Sequence, residues 1–436
     1  MATLNFALVN STGSSSVYAY ITGQALDNNN ALFLLQADGR TAYYPTSPSA
    51  TLTSLSQDCA IPLGAPGSTK TVTIPHIAGG RIWFVRDGKL TFFVNPGPAL
   101  VEPSSSNPSD PNYNLYWDFC EFTWNSAQLY VNITDVDFVS LPIGIALTNT
   151  SGVTKSVQGL PSNGLEAVCS GLRAQNAKDN AGWDKLIISR NGANIRAVSP
   201  NNGITLNNSL FKSYYDAYVN QVWSKYSSTT LTVNTQAAAG NVTATVSNGR
   251  LNFSTGGISY DKPSTADIFS NSSGAFAVSG DPTKDAITAR LAAAFNRSTL
   301  LTNNVQPNGE VVSNYYLNAV TNHYARICHA TTINSRGYAF PYDDVGPDGG
   351  VDQSGSVFDS NPRLLTVTVG GVSTVANNQS EIVQPNNAPP VPEWSKPSKA
   401  PPIPERPSLN NAPPVPKKPG HLNGLKKVWH KFSGNN

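Results

Sequence analysis

The first 150 residues carry one strand-period run after another, punctuated by the Asp-Gly pairs Asp38-Gly39 and Asp87-Gly88. Asp-Gly adopts the positive-φ turns that join adjacent antiparallel strands. Runs such as Ile82-Trp-Phe-Val85 and Leu90-Thr-Phe-Phe-Val94 flank the second pair, so each Asp-Gly is expected to close a hairpin. Short strands at this spacing bury one face against a second sheet or close on themselves, which predicts a β-sandwich or barrel.

After about Gly152 the period changes. Phe211, Tyr215, Tyr218 and Val222 fall on one helical stripe, and Asp281-Pro282 is a helix start running through Asp285 to Phe295. Tyr316, Val320, Tyr324, Ile327 and Cys328 mark a third helix. Thr229–Val233 and Val242–Phe253, with an Asn248-Gly249 turn, are β-elements between them. Leu364-Leu-Thr-Val-Thr-Val369 is a strand again and most simply rejoins the first sheet. The expected fold is therefore mainly β: a β-body from residues 1–155 plus 331–375, a mixed α/β insertion over 156–330, and a cleft between the two.

Beyond residue 380 the composition shifts to a disordered, Pro-rich basic tail, 380–436. Ala388-Pro-Pro-Val-Pro392 recurs as Ala400-Pro-Pro-Ile-Pro404 and Ala412-Pro-Pro-Val-Pro416. The second and third copies fit the P-x-x-P-x-basic form that SH3 domains accept, through Pro401, Pro404 and Arg406 and through Pro413, Pro416 and Lys418. Such a segment is either a spacer or an SH3 ligand. The last residues, Leu422, Leu425, Val428, Trp429 and Phe432 beside Lys426, Lys427 and Lys431, have the spacing of a short basic amphipathic helix.

Charged residues make up only 13% of the chain against an ordinary ~25%, and Asn, Ser, Thr and Gly take their place. That surface suits carbohydrate. The basic excess lies in the tail and not along a folded face, which argues against nucleic acid. No stretch approaches the ~20 apolar residues of a membrane span. Met1-Ala-Thr-Leu-Asn-Phe-Ala-Leu-Val-Asn-Ser11 lacks the basic and apolar regions of a signal peptide, so a cytoplasmic or non-classically secreted monomer is expected. The four cysteines, Cys59, Cys120, Cys169 and Cys328, have no zinc-ligand spacing and form either two bridges or buried thiols. Neither metal nor cofactor is expected.

The chemistry concentrates in Phe119-Cys-Glu-Phe-Thr-Trp-Asn125 and the following Leu129–Pro142. Sugar hydrolysis needs one carboxyl to protonate the leaving oxygen and a second as base or nucleophile. Glu121 and Asp137 are available, with Asp135 on the same face of an alternating strand, so that spacing alone does not separate the two aspartates. A simple hairpin with its tip near Ser126 sets Glu121 opposite about residue 130, away from Asp137. Phe119, Phe122 and Trp124 flank Glu121 and are expected to desolvate it. Asp343 and Asp344 either line the same cleft or are ordinary turn residues. Tyr116, Trp117, Trp124, Tyr130 and Tyr338 are candidate platforms for sugar rings.

Glu121-Phe-Thr-Trp-Asn125 and Val136-Asp-Phe-Val-Ser-Leu-Pro142 resemble the cleft strands of thaumatin-like proteins. Asn107-Pro-Ser-Asp-Pro-Asn-Tyr-Asn114 leading into Trp117-Asp-Phe-Cys-Glu-Phe-Thr-Trp124, together with Gly337-Tyr-Ala-Phe-Pro-Tyr-Asp-Asp344, is similar to glycoside hydrolase family 64, the β-1,3-glucanases on a thaumatin-like barrel. The resemblance covers roughly residues 1–375. It implies an inverting, endo-acting β-1,3-glucanase releasing short laminari-oligosaccharides, with Glu121 as acid, Asp137 as base, and Thr123 and Asn125 contacting substrate. Two other readings are a thaumatin-like protein that binds β-glucan without cleaving it and a scaffold recruited by SH3 domains through the tail.

Overall fold

The structure, a computed structural model, describes residues 2–350 and 352–372. The proline repeats, the SH3-ligand candidates Pro401, Pro404, Arg406, Pro413, Pro416 and Lys418, and the C-terminal amphipathic segment lie outside the described residues.

Two β-sheets face each other. The first has five strands, in the order Thr154–Val157, Ile143–Asn149, Pro362–Val369, Leu4–Asn10 and Thr69–Ile74. The strand Pro362–Val369 does rejoin it, parallel to Leu4–Asn10 and antiparallel to Ile143–Asn149. The second sheet has eight strands and runs from Ser356–Asp359 through Leu129–Ile133, Tyr116–Trp124, Ile77–Arg86, Val17–Ala25 and Ala31–Leu35 to Ala42–Tyr43, with Ile61–Pro62 also paired to Val17–Ala25. Phe6, Leu8, Ile82, Phe84, Cys120, Phe122, Val131, Ile145 and Leu365 fill the space between the sheets. Apolar side chains leaving alternate positions of each strand make that layer.

The other face of the eight-stranded sheet is also covered. Trp83, Val85, Trp117 and Phe119 belong to one continuous hydrophobic cluster with Val168, Trp183, Tyr215, Tyr218, Leu291 and Tyr324 of the insertion. The central strands Ile77–Arg86 and Tyr116–Trp124 are therefore covered on both faces, with Arg81, Asp118 and Glu121 interrupting their apolar side chains. Met1–Thr374 forms one compact unit.

Within the insertion, Asp281 accepts from the Thr283 and Lys284 amides at 2.8 and 3.0 Å and starts the helix Pro282–Arg297. The Asn248-Gly249 turn joins Asn241–Ser247 to Arg250–Phe253, as the dipeptide predicts. Two helical stripes prove shorter than their periodicity. Phe211 has φ 55° and Tyr316 φ 61°, so both sit in turns; the helices are Asp216–Tyr226 and His323–Thr331. Asp38-Gly39 lies between the paired strands Ala31–Leu35 and Ala42–Tyr43, but Asp87-Gly88 closes no hairpin. The strand Ile77–Arg86 pairs Val17–Ala25 and Tyr116–Trp124, while Phe93–Asn95 enters a separate three-stranded sheet. All four cysteines are buried free thiols.

Candidate active site

Glu121 stands on the insertion-facing side of the eight-stranded sheet. Register aligns one row across five strands: Ser356 opposite Asn132, Asn132 opposite Glu121, Glu121 opposite Arg81, and Arg81 opposite Thr22. Phe119 and Trp83 lie one pleat away on the same face, and Phe122 and Trp124 point to the other, so only Phe119 of the expected apolar flank shares the side of Glu121. A polar row through a sheet with both faces covered carries a desolvation cost unless its members bond one another. Arg81 Nε donates to Glu121 Oε1 at 3.2 Å, and the same guanidinium makes a tight ion pair with Glu102. The rings of Phe119 and Trp83 hold that guanidinium, with centroids at 4.9 and 5.5 Å.

Asp137 reaches this place by leaving the sheet. The strand partner of Glu121 ends at Ile133, with Asn132 and not residue 130 opposite Glu121, and the chain turns through 134–137. Phe138–Val139 then pairs with Ala197 and Val198 of the insertion. The Asp137 carbonyl accepts from the Ser199 amide at 2.8 Å and from Asn202 Nδ2 at 3.0 Å. Thus residues 197–202 anchor the backbone of Asp137 and the sheet that of Glu121. Both carboxylates act on Arg81: burial presses its guanidinium down, but the charges of Glu102, Glu121 and Asp137 hold it above its ordinary value.

The same turn separates the two aspartates that alternation placed on one face. Asp135 points inward, with its amide on the Tyr338 carbonyl and its own carbonyl accepting from the Tyr324 hydroxyl at 2.6 Å. Burial raises its carboxyl to about 7, opposed by the nearby His329 charge. Among the described residues, Asp135 Oδ2 has no hydrogen-bond partner.

Tyr130, Tyr338 and Asp344 gather at this end of the row. Glu121 and Asp344 both act electrostatically on Tyr130 and Tyr338, and burial is the main force raising the two phenols, Tyr130 to about 12. Next to them opens a cavity of about 410 Å³ lined by Tyr130, Asp344, Asp348, Asp352, Ser356 and Phe358, among others. The Phe358 ring, opposite Tyr130 in register, is 54% exposed.

Two expected contacts are corrected by burial. Trp117 is 1% exposed and wedged among Trp83, Phe138 and Arg196, which leaves no ring face for a sugar. Trp124 points into the inter-sheet core beside His76. Asp343 does line the cavity, as Asp344 does, but its carboxylate is bonded to Arg297 at 3.2 Å, to His329 at 2.7 Å and to the Ala339 amide at 2.9 Å. Tyr338 is only 8% exposed, its hydroxyl donating to the Pro341 carbonyl. Thr123 and Asn125 remain half-buried along the Glu121 side of the hairpin, where Asn125 Oδ1 accepts from the amides of Ala127 and Gln128.

Arg81, Glu102 and Phe358 were not singled out from the sequence. Arg81 had a signal: it is a lone charge between Gly79-Gly80 and Ile82-Trp-Phe-Val85, inside a strand too apolar to leave it unpaired. Glu102 and Phe358 had none, because long-range pairing alone brings them here.

Glu121 at the middle of a polar row, with Asp137 brought near its Arg81 partner on a separate element and an open cavity beside them, is an arrangement that suits a glycoside hydrolase. A family model described as Beta-1,3-glucanase matches residues 2–369, and the chain belongs to that family, glycoside hydrolase family 64. A Glucan endo-1,3-beta-glucosidase of Cellulosimicrobium cellulans is 29% identical over 328 residues, covering 72% of this chain. The chain spans only 57% of that relative's length. A crystal structure of a laminaripentaose-producing beta-1,3-glucanase in complex with laminaritetraose superposes with a TM-score of 0.75 at 32% identity, covering 84% of this chain and 98% of the other. A beta-1,3-glucanase domain from Clostridium beijerinckii shares the fold at TM-score 0.65 and 23% identity, over 84% and 98% of the two chains.

Proposed function

We propose that the protein is an endo-acting β-1,3-glucanase that cleaves by inversion, on a body of thaumatin-like type. Glu121 protonates the departing glycosidic oxygen and Asp137 draws a proton from the attacking water. The observation that carries this reading is the ion pair of Glu121 with Arg81, whose guanidinium also feels the charge of Asp137 from a separately anchored backbone. Separate anchoring suits inversion, in which a water must fit between base and anomeric carbon and the carboxyls stand about 6.5–9.5 Å apart. The half-buried Tyr130, the amide and hydroxyl groups of Asn125 and Thr123, and Asp344 flank the scissile linkage. Phe358 supplies the accessible apolar ring that Trp117 and Trp124, being buried, do not. Short laminari-oligosaccharides are the products.

The test is the product profile of the purified protein on linear β-1,3-glucan beside Glu121→Gln and Asp137→Asn. Oligosaccharides of inverted anomeric configuration from the wild type, and none from either variant, are expected. Full activity in either variant removes that residue from its role, and glucan bound but not cleaved by the wild type removes the hydrolytic reading.

A further inference from the structure

Glu102 belongs to none of the cleft motifs, yet its carboxylate makes the tightest contact to Arg81. It lies just after the short strand Ala99–Val101, in a different sheet from Glu121 and Arg81. We propose that Glu102 is a positioning residue for the reaction at Glu121, holding the Arg81 guanidinium and dividing its positive charge between two carboxylates. This rests on Glu121 being the acid.

The charges around the site make the division necessary. Glu102, Glu121 and Asp137 all act on Arg81, while Tyr130 and Tyr338 flank Glu121 as neutral phenols. Three carboxylates bear on Arg81, and Asp344 adds its charge beside Tyr130 and Tyr338, so the proton is retained where the charged form is least solvated. The side chain of Glu102 is 32% exposed and that of Glu121 only 10%. The better-solvated Glu102 therefore takes the larger share of the Arg81 charge, which leaves Glu121 able to serve as the acid. With Glu102 neutralised, the whole guanidinium charge falls on Glu121 and disfavours its acid form. Arg81 itself is fixed by its ring contacts with Phe119 and Trp83, so loss of Glu102 changes the charge balance more than the place of the cation.

The experiment is the pH profile of kcat/KM on laminari-oligosaccharides for the full chain and for Glu102→Gln, Glu102→Asp and Arg81→Gln. Glu102→Gln is expected to move the alkaline limb, which reports the acid, toward lower pH by about one unit. Arg81→Gln moves it the other way, and Glu102→Asp restores it toward the wild-type position. A structural role for Glu102 lowers activity at every pH without moving the limb, and that outcome overturns the proposal. The failure of the parent reading looks different: if Glu121→Gln hydrolyses normally, the acid is elsewhere, whereas an inactive Glu121→Gln with an unmoved Glu102→Gln limb leaves the acid in place and removes only Glu102. Should Arg81→Gln fail to fold, the opposed behaviour of Glu102→Gln and Glu102→Asp still decides the matter.

Discussion

Arg297 and Asp343 form an ion pair at 3.2 Å with both side chains 1% exposed, joining the last residue of an insertion helix to the loop that enters the cleft. The guanidinium also donates to the carbonyls of Asp343 and Val345, and Glu310 lies 3.5 Å from it. Burial opposes ionisation of Asp343, but the charges of His329 and Arg297 keep its carboxyl below the ordinary range. Removing one partner strands the others without compensation. Asp343→Asn is expected to cost about 3–5 kcal/mol of stability, read by chemical denaturation. Because Tyr338 and Asp344 ride on the same loop, kcat should fall with it; a variant as stable as wild type would refute the clamp.

Asp135 yields a pH prediction of definite sign. Its folded value of about 7 lies above the roughly 3.9 of an unfolded aspartate. Between those values the folded protein binds the extra proton, so this residue's contribution is full below pH ~4 and is lost as pH rises through about 7. Asp135→Asn, which mimics the neutral form, should flatten the fall of Tm between pH 4 and 8. The slope should not vanish, because burial and Asp135 also raise the neighbouring Asp118. An unchanged slope would show that Asp135 is solvated.

How far the sequence spoke can be judged from particular residues. Alternation and the family resemblance made the strand of Glu121 legible, and Asp281 announced its helix because a cap is a local interaction. The location of Asp137 was not legible: the turn at 134–137 is imposed by pairing with Ala197 and Val198, some sixty positions along the chain. Trp117 and Trp124 misled because aromatic residues of a strand covered on both faces have nowhere exposed to point. Phe211 and Tyr316 kept helical spacing while packing from turns, where periodicity reports burial and not backbone conformation.

Phe358, 54% exposed, is the sugar platform proposed here in place of the two buried tryptophans. Phe358→Ala should weaken laminari-oligosaccharide binding to the Glu121→Gln protein about tenfold, close to 1.4 kcal/mol, by calorimetry. The ring lies at the rim, so Tm should stay put. Unchanged affinity would remove the cavity beside Tyr130 from the glucan path.

The four thiols predict indifference to reductant. Burial pushes Cys59 and Cys169 up to about 12 and raises Cys120 and Cys328 as well, which suppresses the reactive thiolate. A thiol reagent should label none in the native protein and all four after unfolding. A Tm lowered by dithiothreitol would instead reveal a bridge.

Gly80 connects the packing between the sheets to the acid. It sits opposite Phe122, one position before the pairing of Arg81 with Glu121. A Cβ at Gly80 would stand 2.5 Å from two carbons of the Phe122 ring. That ring packs edge-on against Phe6 at 5.3 Å, so it has no free direction in which to retreat, and the strands must separate locally. Gly80→Ala is expected to cost about 1–3 kcal/mol and to lower kcat more than it raises KM, since the strain falls on the Arg81–Glu121 contact and not on the cavity. Combining it with Phe122→Leu should recover stability through a favourable coupling in a double-mutant cycle, because the smaller side chain vacates the space that the new methyl needs. Additive effects would show that the two residues do not compete for that space, and that the strand spacing behind Glu121 is set elsewhere.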